Sequence, residues 1–275
     1  MPPHHLGSEP SRRRFLVGGA ACAGALAVPS LNGAPRSAAA TPYLLYVTNS
    51  STEYVYLCLH QTPGGNGPSG VMPLAWLVRP SPPLPTPTPP FSWNVDYSFV
   101  WARTGVLTPG STFTAMETVA ADPGNPSASQ IQFGADNGNP GFRAGPATGA
   151  PLLGSLYIKE LSTVPADTAS VGIGQSGSPV FAVQAQPDKT LRFTPGENQY
   201  WLAAGPADPF KPPPFLRGQV LDLEAITSHV EIPYDGTRVM QAVLNPGLTW
   251  TVDPGARRPG PVSARPRSLP TAHVR

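Results

Sequence analysis

The stretch that decides the fold is Ser170–Gly205, SVGIGQSGSPVFAVQAQPDKTLRFTPGENQYWLAAG. Extended segments rich in β-branched and aromatic residues are interrupted at Pro187–Lys189 and Pro195–Asn198, where the residues favour turns. The segments therefore predict two or three adjacent β-strands joined by short turns. Alternation between the two turns places Leu191 and Phe193 on one face of a strand.

Closer to the amino terminus, apolar and polar side chains also alternate along the segment Tyr54–Gln61. Its spacing places Leu57 and Leu59 on a buried face and His60 on the opposite face, which we expect to be exposed. Together with an earlier extended run, Tyr43–Thr48, it predicts a β-hairpin.

Strand-like segments continue to the end of the folded part of the chain. Val239–Leu244 and Thr249–Val252 flank Asn245-Pro246-Gly247 and predict a closing hairpin. Many short strands separated by turn residues, without a long amphipathic helix, predict an all-β fold. Within that class we expect an antiparallel β-sandwich of jelly-roll-like type.

The most aromatic segment is Ser92–Ala102, SWNVDYSFVWA, which predicts one strand. Period-two spacing puts five large apolar residues on one face: Trp93, Val95, Tyr97, Phe99 and Trp101. One interpretation is the centre of a sheet core. The other is an exposed platform on which sugar rings stack, with Trp93, Tyr97 and Trp101 as the binding residues.

Proline and glycine are abundant, with 38 and 28 of 275 residues. They cluster in Arg79–Pro90 and Pro206–Pro214, which we interpret as loop insertions in a single domain spanning residues 41–252. Residues 253–275 carry five arginines and one acid, and we expect them to form a disordered, solvated basic tail.

Charge within the predicted domain is acidic. Residues 41–252 contain nine Lys and Arg against fourteen Asp and Glu. Nucleic-acid binding depends on neutralising phosphates, so this balance argues against a nucleic acid as the partner.

The amino terminus has the composition of an export signal. The pair Arg12-Arg13, followed by Phe15 and Leu16, resembles the twin-arginine motif. A weakly apolar Gly/Ala-rich run follows, and small residues ending at Ala40 predict cleavage after that residue. The twin-arginine translocase is therefore the expected partner during export, and the expected location is periplasmic or secreted. No later run reaches about 18 apolar residues, so no integral membrane segment is expected in the mature protein.

The number and positions of the cysteines and histidines bear on whether the protein forms a disulfide or binds a metal. Of the two cysteines, Cys22 lies in the predicted signal, so Cys58 alone remains and an internal disulfide is not expected. The histidines after residue 40 are His60, His229 and His273, which are too scattered to predict a metal site. The sequence therefore predicts neither a metal nor a cofactor.

One motif resembles a catalytic loop. Gly174–Pro179, GQSGSP, is similar to the nucleophile loop of chymotrypsin-like serine proteases. Ser176 would be the nucleophile, His60 the base and Asp96 the residue that orients the base. However, Gln175 stands where most such proteases have Asp, and a Gly-Ser turn between two strands gives the same letters. A serine hydrolase is therefore the alternative, and the preferred interpretation has no catalytic residues.

Several segments resemble the RhiA family, the rhizosphere-expressed proteins of bacteria. They are Tyr43–Ser51, Met72–Leu77, Ser92–Gly110, Gly154–Glu160, Ala169–Pro187 and Gly218–Val252. The resemblance implies an abundant small protein of plant-associated or soil bacteria without an established enzymatic activity. With the signal, it predicts an exported, non-enzymatic domain acting at or outside the cell envelope in surface, polysaccharide or host interaction.

Overall fold

The structure, a computed structural model, describes residues 41–65, 67–143 and 152–254. The predicted signal and its cleavage site after Ala40, and residues 255–275 of the basic tail, lie outside the described residues. Helical structure in the described ranges consists of two single 3₁₀ turns, Pro195–Glu197 and Pro246–Leu248. None of the helices found there has the length and apolar character needed to cross a membrane.

Seventeen strands account for most of the regular structure in the described ranges. In chain order they are β1 Tyr43–Asn49, β2 Val55–Thr62, β3 Met72–Pro73, β4 Leu77–Ser81, β5 Phe91–Trp93, β6 Tyr97–Ala102, β7 Glu117–Ala121, β8 Gln130–Asp136, β9 Asn139–Arg143, β10 Leu156–Glu160, β11 Ser170–Gln175, β12 Ser178–Gln184, β13 Thr190–Phe193, β14 Gln199–Pro206, β15 His229–Glu231, β16 Val239–Leu244 and β17 Trp250–Pro254.

These strands form four sheets. The first has the order β17-β16-β1-β5 and the second β15-β14-β2-β4. The third has the order β3-β12-β11-β6-β7 and the fourth β13-β10-β8-β9. Neighbouring strands are antiparallel except for the pairs β1–β16 and β8–β10, which are parallel. The prediction of an all-β fold built from antiparallel sheets is confirmed, while the finer jelly-roll order stays a prediction.

The stretch Ser170–Gly205 links three of the four sheets. Its strands β11 and β12 belong to the third sheet, β13 to the fourth and β14 to the second. Leu191 and Phe193 are both buried, as their spacing predicts. The predicted turns are therefore the places where the chain passes from one sheet to the next, rather than links between neighbouring strands.

The motif Gly174–Pro179 forms a tight hairpin between β11 and β12. Gln175 pairs with Ser178, which leaves Ser176 and Gly177 as the two residues of the loop. Their φ values are 52° and 72°, and two positive φ angles in a two-residue loop define a type I′ turn. This turn matches the twist of the two strands, and glycine adopts its conformation at little cost.

The predicted hairpin of β1 and β2 is wrong. β1 lies between β16 and β5 in the first sheet, and β2 lies between β14 and β4 in the second. The buried side chain of Asn49 donates to the carbonyls of Glu53 and Ser81, both at 2.9 Å. These bonds fix a corner that directs the chain into another sheet. The closing hairpin of β16 and β17 is confirmed, and it continues through Pro254, two residues beyond the predicted domain end.

The prediction of one strand over Ser92–Ala102 is also wrong. β5 pairs with β1 in the first sheet, whereas β6 pairs with β11 in the third. The linking residues Asn94–Asp96 end the alternation, and the side chain of Val95 is 47% exposed. The aromatic residues of this segment are therefore divided between two sheets and do not form one face of a single strand.

The two proline-rich segments have different structures. The first begins as part of β4, an edge strand in which Pro80 lies opposite Tyr56 of β2. An edge position tolerates proline because one side of the strand needs no partner. The second begins at the last residue of β14 and continues as a loop whose Phe210 is largely exposed. That segment is a loop, as predicted.

The second sheet is covered on both faces. Leu57 and Leu59 of β2 belong to the main hydrophobic core, to which all four sheets contribute. On the opposite face, Cys58 packs in a smaller cluster with Phe215 and Leu221. The segment after β14 therefore covers the side of β2 that alternation predicts to be exposed, and residues on that side are buried.

Candidate functional site

A cleft of about 310 Å³ opens where three sheets meet. Its walls include four tyrosines, Tyr43, Tyr97, Tyr200 and Tyr234, and we call it the tyrosine cleft. The first three stand at the starts of β1, β6 and β14, and Tyr234 follows β15. All four rings are half-buried, so each is held by the fold while part of it stays accessible.

The tyrosine rings support one another by direct contact. Tyr234 meets Tyr43 edge-on, with ring centroids 5.0 Å apart, and meets Tyr200 in the same manner at 5.6 Å. Behind them, the indole of Trp93 stacks on Tyr43 at 5.8 Å. Edge-to-face and offset-stacked pairs are the favoured geometries of aromatic rings, and a buried tryptophan restricts their movement. The tyrosine rings of the wall are therefore packed against one another and against a buried side chain.

A chain of side-chain amides lies beneath the cleft. Asn198, which lines the cleft, donates to Gln61 at 3.0 Å, and Gln61 donates to Gln175 at 2.8 Å. Gln175 in turn donates to the carbonyl of Asn94 at 2.9 Å and to the hydroxyl of Tyr200 at 3.4 Å. These residues come from distant parts of the chain, so the amide chain fixes several elements to one another.

The hydroxyl of Tyr200 can donate a hydrogen bond to a ligand. It accepts from Gln175, which leaves its own proton for another acceptor. Burial raises the pKa of Tyr200, and burial together with the neighbouring hydroxyls raises the pKa values of Tyr97 and Tyr234. The phenols of these three tyrosines therefore stay neutral and protonated at physiological pH. Glu231 and Gln199 add exposed polar groups to the lining.

The three residues predicted for an aromatic platform fall in different places. Tyr97 lines the tyrosine cleft. Trp93 is buried behind it, and Trp101 is buried against Phe133 with its indole N–H donating to Glu117 at 2.8 Å. Stacking a ligand requires an exposed ring face, so the two tryptophans do not form the platform. The core interpretation is the correct one for both.

The structure does not assemble Ser176, His60 and Asp96 as a triad. Ser176 contacts the linker before β6, where its hydroxyl accepts from the Asn94 N–H at 3.1 Å and its N–H donates to the Asp96 carbonyl at 3.1 Å. His60 is 2% exposed, which corrects its predicted exposure. Within the described ranges, neither of its ring nitrogens has a hydrogen-bond partner.

Cys58 is a buried free thiol. Burial raises its pKa, so it stays a neutral thiol packed in an apolar cluster. In the described ranges, His, Cys, Asp and Glu do not come together in groups of three or more that could hold a metal ion.

Sequence reasoning missed most of the cleft. Tyr43, Tyr200 and Tyr234 lie in separate segments, and no local spacing indicates that their rings meet. In the sequence, Gln175 differs from the residue typical of a protease motif, and in the structure it is the centre of the amide chain.

The fold and the cleft define a class: an all-β protein with an aromatic cleft over a buried amide chain. The chain belongs to the RhiA family, since the family model described as RhiA matches residues 40–255. Protein RhiA of Rhizobium leguminosarum bv. viciae is 33% identical over 227 residues, covering 81% of this chain and 90% of the relative. The predicted resemblance is confirmed. No solved structure matches this chain.

Proposed function

We propose that this protein is exported, has no catalytic activity and binds saccharide units of a polysaccharide or host surface in the tyrosine cleft. The observation that carries the proposal is the combination of half-buried tyrosine rings with an amide chain beneath them. The relative's name says nothing about its activity, so the proposal depends on the chemistry of this chain.

Sugar rings have two kinds of surface, and the tyrosine cleft offers a complement to each. Aromatic rings pack against the apolar C–H faces of a sugar, while fixed hydroxyl and amide groups bond to the hydroxyls around its edge. Tyr97 and Tyr200 supply ring surface, and Asn198 and the Tyr200 hydroxyl supply polar groups whose positions Gln61 and Gln175 restrict. A restricted site loses less entropy when it binds.

The binding proposal is tested on a glycan array with the chain from Thr41 onward, followed by calorimetry on the glycans retained. We expect Tyr97→Ala to weaken binding about tenfold or more, because it removes ring surface at the cleft. Tyr54→Ala is the matched control, since Tyr54 is an exposed tyrosine outside the cleft lining. Equal binding by both variants, or retention of no glycan, would contradict a saccharide site here.

Export is tested separately by cell fractionation of the full chain. The pair Arg12-Arg13 supports the twin-arginine route, so Arg12→Lys combined with Arg13→Lys should hold the protein in the cytoplasm. Arg36→Lys is the control, because Arg36 lies before the predicted cleavage site but outside the pair. Export of the double variant at the normal level would refute this route.

The absence of catalysis is tested with a fluorophosphonate probe, which labels activated serines. We expect no labelling of Ser176, because its loop is a type I′ turn and His60 does not reach it with a hydrogen bond. Labelling that disappears in Ser176→Ala would make the protein a serine hydrolase.

A further inference from the structure

A second cavity, of about 700 Å³, lies away from the tyrosine cleft. Its lining combines the end of β10, the connection from β12 to β13 and residues 67–70. The polar lining includes Glu160, Gln184, Gln186, Lys189 and Arg192, and we call it the Glu160 cavity. None of its lining residues also lines the tyrosine cleft.

Glu160 is an acid in an apolar position. It continues the inward-facing row formed by Leu156 and Ile158 of β10, and it is 2% exposed. One carboxyl oxygen accepts from the Gln186 N–H at 3.3 Å, while the other, also buried, has no partner among the described residues. A buried carboxyl with one unpaired oxygen costs stability, which makes a purely structural role an incomplete explanation.

The two charged side chains that share the cavity lining with Glu160 are both cations. Lys189 and Arg192 line the same cavity, and Lys159, Asp188 and Lys189 line an adjoining one of about 360 Å³. Arg192 donates through Nε to Ser155 at 3.1 Å, and its guanidinium carries four further N–H bonds. Lys189 and Arg192 are therefore the two cations of the cavity lining, and the carboxylate of Asp167 accepts from the amide of Gln184.

The protonation state of Glu160 also affects the net charge of the cavity. Burial raises its pKa to about 7, opposed in part by the Gln186 N–H and by Lys189. Below that pH the carboxyl is neutral and the surroundings are cationic. A cationic ligand would meet repulsion from Lys189 and Arg192, so the charges favour an anion.

We propose that the Glu160 cavity binds a carboxylate-bearing, hydroxyl-rich small molecule, a sugar acid, as a second site independent of the tyrosine cleft. The ligand carboxylate pairs with Lys189 and Arg192, the fork of Arg192 being suited to a carboxylate. The amide of Gln186 and the hydroxyl of Thr190 face ligand hydroxyls, and Gln184, whose amide donates to Asp167, completes the polar lining. Glu160 lies beneath, where its charge opposes the bound anion.

This arrangement couples binding to a proton. A bound anion disfavours ionised Glu160, so near pH 7 binding draws a proton onto the carboxyl. Affinity is therefore highest below pH 7 and falls as Glu160 ionises. We expect it to be about tenfold weaker at pH 8 than at pH 5.5, which corresponds to a modest like-charge repulsion.

The experiment is calorimetry with glucuronate, and with glucose as its neutral counterpart, on the chain from Thr41 onward. Glucuronate should bind and glucose should bind at least tenfold more weakly. Lys189→Ala should weaken glucuronate binding about tenfold, whereas Lys159→Ala, an exposed lysine that does not line the 700 Å³ cavity, should leave it unchanged.

Glu160→Gln tests whether Glu160 sets the pH dependence of glucuronate binding or only contributes to the structure. The variant keeps the shape of the side chain, and it should bind glucuronate with the same affinity at pH 5.5 and pH 8. Repeating the titration in two buffers of different ionisation enthalpy should show proton uptake near pH 7 for the natural chain and none for the variant.

Three outcomes would overturn the proposal: no glucuronate binding at millimolar concentration, equal binding of glucose and glucuronate, or binding that Lys189→Ala does not change. Loss of glucuronate binding in Tyr97→Ala would also overturn it, because the ligand would then occupy the tyrosine cleft. Failure of the glycan array leaves these measurements unaffected, so the two sites are judged separately.

Discussion

Gln61 and His60 are neighbours on β2, and they differ in whether their buried polar atoms have hydrogen-bond partners. Gln61 is 1% exposed and His60 2% exposed. The Gln61 amide accepts from Asn198 and donates to Gln175, whereas neither His60 ring nitrogen has a partner among the described residues. One strand therefore buries a satisfied polar side chain on one face and an unsatisfied one on the other.

The difference shows that burial alone does not identify a functional polar residue. The Gln61 side is built around polar contacts and leads to the tyrosine cleft. The His60 side is covered by an apolar cluster around Cys58, Phe215 and Leu221. A hydrogen-bonded polar group positions its neighbours, while an unpaired one costs free energy and positions nothing.

Replacing each of the two residues by leucine tests the difference between them most directly. Gln61→Leu should lower the free energy of unfolding by about 3 kcal/mol, because it leaves the buried amide oxygen of Gln175 and the half-buried amide of Asn198 unpaired. His60→Leu should leave stability unchanged or raise it by about 1 kcal/mol, because no partner is lost. Urea denaturation followed by tryptophan fluorescence measures both. A similar loss in the two variants would show that His60 has an essential contact.

The next effect is on the acid dependence of stability. Burial lowers the pKa of His60 to about 4, with a smaller contribution from His229. The unfolded chain takes up a proton on His60 near pH 6.5 while the folded chain does not, so stability is lost as the pH falls towards 4. Between pH 6.5 and 5 we expect His60 to cost about 2 kcal/mol.

Denaturation curves at several pH values measure that loss, and His60→Leu should remove it. His229→Gln is the comparison variant and should reduce the dependence only slightly, because His229 makes the smaller contribution to the His60 pKa. If His60→Leu has the same acid dependence as the natural chain, the titrating group lies elsewhere.

The smallest expected effect concerns the cleft end of the amide chain. Tyr200→Phe removes the 3.4 Å bond from Gln175 and should lower stability by about 0.5 kcal/mol, because a long bond at a half-buried hydroxyl contributes little. If the Tyr200 hydroxyl donates to a glycan, the same variant should weaken glycan binding more than it weakens the fold. Equal effects in calorimetry and denaturation would limit that hydroxyl to a structural role.

Local features of the fold could be predicted from the sequence. Alternation identified Leu191 and Phe193 as buried, and the hairpin of β16 and β17 followed from a short turn between two strands. These predictions depend on residues close together in the chain, where spacing and turn chemistry determine the conformation.

Sheet membership could not be predicted in the same way. β1 and β2 are adjacent in sequence but separate at the corner fixed by Asn49, whose partner Ser81 lies far along the chain. His60 lies on a polar face by alternation, and it is buried because a distant segment covers that face. The tyrosine cleft has the same origin, since its four rings meet only after the sheets have assembled.

The parallel pairing of β1 with β16 also has a consequence for folding kinetics. Leu44 pairs with Val239, about 195 residues later along the chain, so one edge of β1 stays open until β16 has been synthesised. Closing so long a loop is slow, and all-β domains dominated by distant contacts fold in milliseconds to seconds. Until then β1 presents an unpaired apolar edge, and this interval is when the chain is most exposed to aggregation and proteolysis.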